Sequence, residues 1–370
     1  MDIAKILDSL DNPQKELASK ILSGKRINQD EALVLYKEYD LGLLGLLADQ
    51  VRKNINGNKV FFNHNVHLEP TNICIHSCLF CSYSRKINEE SAWEYDLSEI
   101  REIIKGHKEK NITEIHIVGG VHPHRTATYY ADLLKIVREE LGDIHIKAFT
   151  AAEIEHMAKK AGLKIKEALL VLKDAGLDSM PGGGAEIFDE GIRKKICPDK
   201  TGSEEWLNVH REAHQLGIQT NCTMLYGHIE NFEHRVDHLE RLRSLQDQTS
   251  GFNAFIPLKY RSRNNKLSEI GETSPVDDLK NFAVSRIYLD NIPHLKAYWP
   301  MIGKDMAAIS LSFGVDDLDG TIQDTTKIYS MAGADDEKPY MPVNEIVSLI
   351  RRAGREAVER DSLYNAVKKF

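Results

Sequence analysis

The feature that most constrains how this chain can fold is a regular alternation of short apolar runs with segments of helical periodicity. Eight runs have the length and the apolar or β-branched content of buried strands. These predicted strands span residues 66–71, 114–119, 145–149, 177–180, 219–226, 252–258, 294–299 and 308–313. Strands that alternate with helices form a parallel sheet, and closing that sheet on itself removes its edges. The sequence therefore predicts an α/β protein with a (β/α)8 barrel of the TIM type.

Segments outside the eight strands are predicted to be mainly helical. Asp96 precedes Glu99 by three residues, and Thr150 precedes Glu153 by the same spacing, which places an N-cap side chain beside the first-turn amides of a helix. Residues 1–60 are predicted to form a helical lead-in, and residues 61–341 the barrel. Residues 342–370 are predicted to form a C-terminal helix packed on the barrel, with helical register up to residue 361.

Composition limits the class of protein. Of the 370 residues, 42% are hydrophobic and 28% are charged, which is the balance of a soluble globular protein. The net charge of −8 argues against a nucleic-acid-binding surface. No apolar run approaches the ~18 residues that span a bilayer, and residues 1–45 carry too many acidic side chains for a targeting peptide. We therefore expect a cytoplasmic protein that binds neither nucleic acid nor membrane.

Three cysteines follow directly after the first predicted strand. Cys74, Cys78 and Cys81 form a C-x3-C-x2-C pattern in one short loop. Three thiolates at this spacing can ligate three irons of a 4Fe-4S cluster and leave the fourth iron open. Reductive cleavage of S-adenosylmethionine requires an open iron of this kind. Loops at the carboxyl ends of barrel strands carry the chemistry in this fold, so the cysteines lie where an active site is expected.

Two other uses of these cysteines compete with the cluster. Disulfides are disfavoured, because the chain has only five cysteines and no secretory signal, which indicates a reducing compartment. Zinc is the main alternative, with His76 as a fourth ligand, and it would make the protein a non-enzymatic zinc-binding module. No second pair of Cys or His ligands follows at the usual spacing, so the iron–sulfur interpretation is preferred.

Four residues are predicted to bind S-adenosylmethionine. Gly119 and Gly120 end the second strand, where a bare backbone lets the methionine moiety approach, although a tight βα turn also explains them. Phe80 lies inside the cysteine loop and can either meet the adenine or pack beneath the loop. Glu186 follows the glycines at 182–184, where it can bind ribose hydroxyls or cap the next helix.

Four further residues are candidates for contact with a substrate. His122 and His228 follow the second and fifth strands and so can face the mouth of the barrel, although a loop histidine is more often structural. Arg261 and Arg263 follow the sixth strand, and a guanidinium binds a carboxylate through two parallel hydrogen bonds. A solvated basic loop is the alternative for the two arginines. No acid or base catalyst is identifiable from the sequence.

Four motifs give the chain a resemblance to the radical S-adenosylmethionine superfamily, and within it to the enzymes of menaquinone and deazaflavin biosynthesis. The motifs are HLEPTNIC (67–74), IVGGVHP (117–123), GLDSMPGGGAEIF (176–188) and CTMLYGH (222–228). The resemblance implies the (β/α)8 barrel of that superfamily, a 4Fe-4S cluster and S-adenosylmethionine as co-substrate. It also implies a small-molecule substrate and a reductant such as flavodoxin or ferredoxin, and it allows a homodimer.

Within this group the chain is most similar to the synthases of the futalosine route to menaquinone. The resemblance implies that a 5′-deoxyadenosyl radical adds to the vinyl ether of 3-[(1-carboxyvinyl)oxy]benzoate, a substrate with two carboxylates. Rearrangement and decarboxylation then give 6-amino-6-deoxyfutalosine, methionine and bicarbonate. The alternative is the radical cyclase of the same route, which acts on dehypoxanthine futalosine and favours Gln-Gly-Gly and Phe-Gly-His. Here those places read Val118-Gly119-Gly120 and Tyr226-Gly227-His228, which favours the synthase.

Overall fold

The computed structural model describes residues 7–8, 10–322, 327–333 and 339–370. The helices are α1 Asn12–Leu22, α2 Gln29–Glu38, α3 Leu41–Asn56, α4 Leu97–Lys105, α5 Ala127–Leu141, α6 Ala151–Ala161, α7 Ile165–Asp174, α8 Glu190–Ile196, α9 Ser203–Gln215, α10 Phe232–Thr249, α11 Pro275–Tyr288, α12 Trp299–Ile302, α13 Lys304–Ser310, α14 Ile328–Met331 and α15 Val343–Arg352. The strands are β1 Lys59–Asn63, β2 Asn65–Leu68, β3 Glu114–Ile117, β4 His145–Ala148, β5 Ser179–Met180, β6 Gln219–Tyr226, β7 Phe252–Lys259, β8 His294–Leu295, β9 Asp317–Gly320, β10 Glu356–Arg360 and β11 Ala366–Lys369.

A parallel sheet of seven strands forms the centre of the fold. Its order is β2-β3-β4-β5-β6-β7-β8, so strands that follow one another in the chain also lie side by side. All seven predicted strands between residues 66 and 299 are present, although most end earlier than predicted. Because the strands are parallel, the loops after their carboxyl ends all meet at one edge of the sheet. The cysteine loop after β2 is one of them.

The eighth position of the barrel is occupied by β9 and not by residues 308–313. β9 joins the end of β8 through one parallel bridge between Lys296 and Asp317. Thr321, just beyond β9, donates its hydroxyl to the Asn65 carbonyl at the start of β2 (2.9 Å). Residues 308–313 belong to α13 and the turn after it, so the predicted eighth strand is wrong. A short apolar run fits a strand and a helix equally well, whereas the barrel class itself is confirmed.

β1 starts a second sheet, whose order is β11-β10-β1-β9. It pairs in parallel with both β10 and β9, so a strand begins at the end of the lead-in, after the helices described there. The predicted C-terminal helix covers only α15, and the chain then forms β10 and β11, so helix up to residue 361 is wrong. Gly354, which has φ +72, follows that helix and lets the chain turn into β10. The domain limits at residues 60 and 341 stay predictions.

Both predicted capping boxes are present. The Asp96 carboxylate accepts from the Glu99 amide at the start of α4 (2.9 Å). The Glu153 carboxylate accepts from the Thr150 amide at the start of α6 (2.7 Å). These bonds satisfy first-turn donors and fix where each helix begins. No helix in the described ranges is both long and apolar enough to cross a membrane.

Replacing Asp317 by Asn tests what holds β9 in place. The Asp317 carboxylate accepts from the Arg360 guanidinium of β10 (2.6 Å), and both side chains are buried. Removing one partner of a buried pair leaves the other charge uncompensated, so we expect the free energy of unfolding to fall by about 3–5 kcal/mol. Chemical denaturation measures this, with Asp305→Asn at an exposed position as the control. Equal stability of the two variants would contradict the role given to this pair.

Candidate active site

A cavity of about 320 Å³ runs through the barrel interior and reaches the loops that follow the strands. Five residues proposed from the sequence line it, namely Phe80, Cys81, Gly119, Glu186 and Arg261. Among the described residues proposed from the sequence, Cys74, Cys78, Gly120, His122, His228 and Arg263 do not line it. The cysteine loop therefore borders the cavity through Cys81 and Phe80.

The cysteine loop is held by hydrogen bonds to its surroundings. The Cys74 N–H donates to the Arg85 carbonyl (2.9 Å), and the Ile75 N–H donates to the Val121 carbonyl beyond β3 (2.9 Å). The Lys86 ammonium donates to the Ile75 carbonyl from the other side (2.6 Å). These bonds fix the loop against the segment that follows β3.

The residues of this loop fit an iron–sulfur cluster. All three cysteines are free and partly buried, and the Ser84 amide donates to the Cys81 sulfur (3.4 Å). Burial raises the pKa of Cys74 and of Cys78, so a bound metal centre is what would hold these sulfurs as thiolates. Three thiols in one loop, with an amide donor on a sulfur, match a cluster that takes one cysteine on each of three irons.

The arrangement does not suit a single zinc ion. In the part of the chain that the structure describes, no three Cys, His, Asp or Glu side chains converge on one ion. Structural zinc takes four such ligands around one centre. His76, the fourth ligand of the zinc interpretation, lies with its Nδ1 3.9 Å from an Asp199 carboxylate oxygen.

Gly119 and Gly120 are required by close packing of the cysteine loop on the end of β3. A Cβ at Gly119 would lie 2.9 Å from the Thr71 carbonyl oxygen, and one at Gly120 would overlap the Ile73 carbonyl outright. The Gly120 N–H also donates to the Thr71 carbonyl (2.9 Å). Gly119 borders the cavity, whereas Gly120 is buried under the loop. Both glycines thus place the cysteines, and the backbone of Gly119 is open to a ligand.

Glu186 faces the cavity together with a lysine that the sequence did not single out. The Lys200 ammonium lies 2.6 Å from a Glu186 carboxylate oxygen and 5.8 Å from the centre of the Phe80 ring. Burial alone would lower the pKa of Lys200, but the charges of Glu186 and Cys78 outweigh that effect, so the pKa is raised overall. The side chain is therefore a cation next to the cysteine loop. The next helix, α8, is capped by Asp189, so the alternative that Glu186 caps it is wrong.

His122 supports its own loop outside the cavity. Its Nδ1 accepts from the amides of His124 (3.1 Å) and Arg125 (3.2 Å), and its Nε2 lies 3.3 Å from a Glu94 carboxylate oxygen. Burial lowers the pKa of His122 to about 4, so the imidazole is neutral near pH 7. This geometry matches the structural alternative for a loop histidine.

His228 also stabilises the loop in which it lies, after β6. Its Nδ1 accepts from the Ile229 amide (2.8 Å) and its Nε2 lies 3.1 Å from the Leu225 carbonyl. Burial lowers the pKa of this imidazole as well, although Glu230 opposes the shift. Both ring nitrogens are therefore engaged within the turn after β6.

The two arginines after β7 have different positions. Arg261 lines the cavity and donates to the carbonyls of Met301 (2.9 Å) and Gly333 (2.9 Å). Arg263 lies against Gly333, and its carbonyl accepts from the Ser82 hydroxyl (2.7 Å). Arg261 is thus the arginine that can meet a ligand in the cavity, and Arg263 supports the cysteine loop.

Two buried ion pairs line the opposite end of the cavity, and sequence patterns did not reveal them. The Lys147 ammonium lies 2.6 Å from a Glu114 carboxylate oxygen, and the Lys296 ammonium lies 2.5 Å from an Asp319 carboxylate oxygen. We call these four residues the floor cluster. Glu114 begins β3 and Gly119 follows the end of that strand, so the floor cluster includes a residue at the opposite end of β3 from Gly119. Each pair joins residues far apart in sequence, which is why no local signal marks it.

Comparison with known proteins gives the class to which this site belongs. The family described as the radical SAM superfamily matches residues 68–242, and the CofH/MqnC C-terminal region matches residues 249–369. The chain belongs to the radical SAM superfamily, whose enzymes use a 4Fe-4S cluster and S-adenosylmethionine. Cys74, Cys78 and Cys81 fit its CxxxCxxC motif. The non-enzymatic zinc-binding module is thereby wrong.

Curated relatives narrow the class further. The chain is 46% identical over 356 residues to aminodeoxyfutalosine synthase of Thermus thermophilus, with 95% of each chain covered. It is 41% identical to aminodeoxyfutalosine synthase of Streptomyces coelicolor, covering 96% of this chain and 95% of that one. It is also 39% identical to the 5-amino-6-(D-ribitylamino)uracil–L-tyrosine 4-hydroxyphenyl transferase of Methanocaldococcus jannaschii, covering 93% of this chain and 98% of that one.

Solved structures agree on the fold. Methylornithine synthase superimposes with a TM-score of 0.72 at 20% identity, covering 91% of this chain and 95% of that one. A structure of HydG, a maturase of the [FeFe]-hydrogenase, gives a TM-score of 0.75 at 17% identity, covering 97% of this chain and 79% of that one. The predicted barrel fold is confirmed by these likenesses.

Replacing any one of the three cysteines by Ala should abolish cluster retention and turnover, because each is expected to ligate a separate iron. Iron and sulfide per chain, with the absorbance of anaerobically reconstituted protein, measure the cluster. Cys222→Ala is the matched control, because that thiol is free and fully buried in β6. A Cys78→Ala variant with full iron content and full activity would refute the ligand assignment.

Gly120→Ala should impair the cluster without removing a ligand. The new methyl group would push the cysteine loop off the end of β3, so we expect less iron per chain after reconstitution at near-normal helix content. Circular dichroism and iron analysis measure the two quantities. Gly202→Ala is the control, because its nearest neighbour, a Glu190 oxygen, would lie at an ordinary 3.6 Å. Unchanged iron content in Gly120→Ala would show that the loop does not depend on this close approach.

Proposed function

We propose that the protein catalyses the aminodeoxyfutalosine synthase reaction. In that reaction S-adenosylmethionine, 3-[(1-carboxyvinyl)oxy]benzoate and water give 6-amino-6-deoxyfutalosine, methionine and bicarbonate. The observation that carries the proposal is the near full-length similarity, at 46% and 41% identity, to two proteins of that name. The cavity supports it, because basic side chains line a barrel interior that a substrate with two carboxylates would enter.

The cofactor side of the cavity follows from the geometry of the cysteine loop. Cys74, Cys78 and Cys81 would ligate the cluster, which when bound supplies the electron that cleaves S-adenosylmethionine to methionine and a 5′-deoxyadenosyl radical. The Gly119 backbone and the Phe80 ring lie beside this loop and would contact S-adenosylmethionine. The Glu186 carboxylate, oriented by Lys200, would accept from the ribose hydroxyls.

The barrel interior would then direct the radical to one double bond. A new carbon–carbon bond would form between the adenosyl C5′ and the vinyl carbon as the vinyl π bond breaks. The rearranged radical would then release its carboxylate as carbon dioxide, which water hydrates to bicarbonate, and the remaining unpaired electron would return to the oxidised cluster. The chain contributes confinement, since largely buried walls keep water and stray hydrogen donors from the radical. Arg261 borders the cavity and is proposed to bind the carboxylate of the enolpyruvyl group.

Other parts of the proposal concern partners and location. A one-electron reductant such as flavodoxin or ferredoxin would supply the electron, and the resemblance allows a homodimer. A cytoplasmic location stays the prediction. It rests on the scarcity of cysteines, all five of which are free in the structure.

A second candidate function comes from the relatives named 5-amino-6-(D-ribitylamino)uracil–L-tyrosine 4-hydroxyphenyl transferase. The one from Methanocaldococcus jannaschii is 39% identical over 353 residues, only slightly less than the synthase relatives. The cyclase of the futalosine route is the third candidate. All three share the cluster and the barrel, so their substrates distinguish them.

A product assay separates these candidates. Reconstituted, chemically reduced protein is incubated with S-adenosylmethionine and the enolpyruvyl benzoate, and the products are resolved by mass spectrometry. We expect 6-amino-6-deoxyfutalosine and methionine in equal amounts, and no product from the Cys78→Ala variant. Parallel incubations contain dehypoxanthine futalosine, or tyrosine with the aminouracil. Free 5′-deoxyadenosine without adduct from the benzoate, together with turnover in a parallel incubation, would refute the synthase proposal.

A further inference from the structure

The floor cluster has more hydrogen-bond donors than its own carboxylates use. An ammonium carries three N–H groups. Within the described ranges, Lys147 donates to Glu114 and Lys296 donates to Asp319, one hydrogen bond each. Both lysines are almost fully buried, with 5% and 2% of their surface exposed, and both line the cavity. The N–H groups that remain have no acceptor among the described residues, so they are available to a ligand in the cavity.

The charged side chains of the floor cluster influence one another's pKa values. The pKa of Lys147 is lowered, first by burial and also by the neighbouring charge of Lys296. The pKa of Glu114 is lowered by Lys147 and also by Lys296, although burial opposes these shifts. The two ammonium groups therefore repel each other across the cavity floor. An anion bound between them would relieve that repulsion.

Other interactions keep the carboxylates of the floor cluster turned toward their lysines. The Ser362 hydroxyl donates to the same Glu114 oxygen that binds Lys147 (2.5 Å). The Asp319 amide donates to the Asp317 carboxylate (2.6 Å), in a backbone with φ +65. A left-handed conformation is rare for aspartate outside turns and costs free energy, so the position of Asp319 is imposed by its surroundings.

The floor cluster lies at the end of the cavity away from the cysteine loop. A substrate group far from the reacting vinyl group would therefore lie near the floor cluster. Glu114 begins β3 and Gly119 lies two residues beyond its end, so the five residue steps between them span at most about 16 Å at the rise of an extended strand. The vinyl group must lie near the cysteine loop, at the Gly119 end. An aromatic ring attached to it extends toward the floor, and apolar side chains such as Ile256 and Leu258 line the wall between.

We propose that Lys147 and Lys296 of the floor cluster bind the carboxylate on the aromatic ring of the substrate. Each ammonium keeps its bond to Glu114 or Asp319 and donates a second hydrogen bond to the substrate carboxylate. This inference rests on the proposed function, because it takes the enolpyruvyl benzoate as substrate. It assigns the two lysines a role in positioning and selecting the substrate, with the vinyl group held at the cysteine loop.

The test compares two ligands that differ in one group. One is the enolpyruvyl benzoate, and the other is its analogue in which a carboxamide replaces the carboxylate on the ring. Calorimetry measures equilibrium binding of each to cluster-loaded, unreduced protein without S-adenosylmethionine, so the readout does not depend on turnover. Wild-type protein should bind the carboxylate at least about tenfold more tightly than the amide, because charge-assisted hydrogen bonds are the stronger ones.

Lys147→Met and Lys296→Met should each weaken binding of the carboxylate by about tenfold or more and change binding of the amide by less than about threefold. Lys304→Met is the matched control, because that lysine is also paired, with Glu345 at 2.8 Å, but does not line the cavity. It should bind both ligands as the wild type does. Circular dichroism verifies that each variant is folded.

Glu114→Gln provides a second test with the opposite sign. It leaves Lys147 in place and removes a competing anion, so binding of the carboxylate should tighten by about threefold or more. A purely structural ion pair predicts no gain in affinity from this variant. The outcome therefore remains informative even if a lysine variant fails to fold.

The outcomes distinguish this inference from the proposed function. Wild-type protein that converts the benzoate, together with lysine variants that still prefer the carboxylate by the wild-type ratio, would overturn the floor assignment alone. Wild-type protein that neither binds nor converts the benzoate would overturn both. Loss of carboxylate preference in both lysine variants, with tighter binding in Glu114→Gln, would support the assignment.

Discussion

Buried charge pairs hold the closing strand of this barrel in place. β9 shares only one bridge with β8, between Lys296 and Asp317, so backbone pairing on that side is sparse. The Asp317 carboxylate instead holds Arg360 of β10, and Lys296 holds Asp319 two residues further on. Buried ion pairs of this kind contribute little to the net free energy of folding, but breaking one strongly destabilises the protein. They therefore fix β9 in the eighth position of the barrel. The position of β9 thus depends on partners outside its own ladder.

The barrel keeps the cysteine loop and the charged floor cluster apart along its axis. At the carboxyl ends of the strands, Gly119 and Gly120 admit the backbone of the cysteine loop into direct contact with β3. At the amino ends, Glu114 and Lys147 face each other under the cavity. A redox-active loop and a charged floor can coexist because β3 and β4 keep them apart. The cavity walls between them are mainly uncharged, which suits the confinement of a radical.

The sequence allowed prediction of the features whose cause is local. Cysteine spacing, the glycine pair, two capping boxes and most strands each depend on residues a few positions apart, and each is present in the structure. β9 was missed because its sequence, Asp317-Leu-Asp-Gly320, is not apolar. Its two aspartates are buried in ion pairs with Arg360 and Lys296, which are distant in the chain. The run at 308–313 was misassigned because its apolar residues serve a helix equally well.

The difference between local and distant causes also explains which site residues could be predicted from the sequence. Glu186 and Arg261 could be proposed because each follows a predicted strand, but Lys200, Lys147 and Lys296 acquire a role only from partners that folding brings to them. His122 and His228 were proposed on position alone, and both imidazoles, which do not line the cavity, are instead engaged by other protein groups. Position after a strand brings a residue to the right edge of the barrel, but the direction of its side chain depends on the neighbouring loops.

Net charge alone does not make the cavity floor attractive to an anion. Its two lysines are balanced by two carboxylates, so the proposed attraction would come from the N–H groups that those carboxylates do not use and from the repulsion between the ammonium groups. Such a floor favours a planar carboxylate over a diffuse negative charge, because hydrogen-bond geometry and not total charge provides the selection. A ring substituent without a hydrogen-bond acceptor would leave those donors unsatisfied in a buried site, at a cost comparable to a lost hydrogen bond. Discrimination between substrates of related radical enzymes can therefore arise at the floor, far from the cluster that starts the reaction.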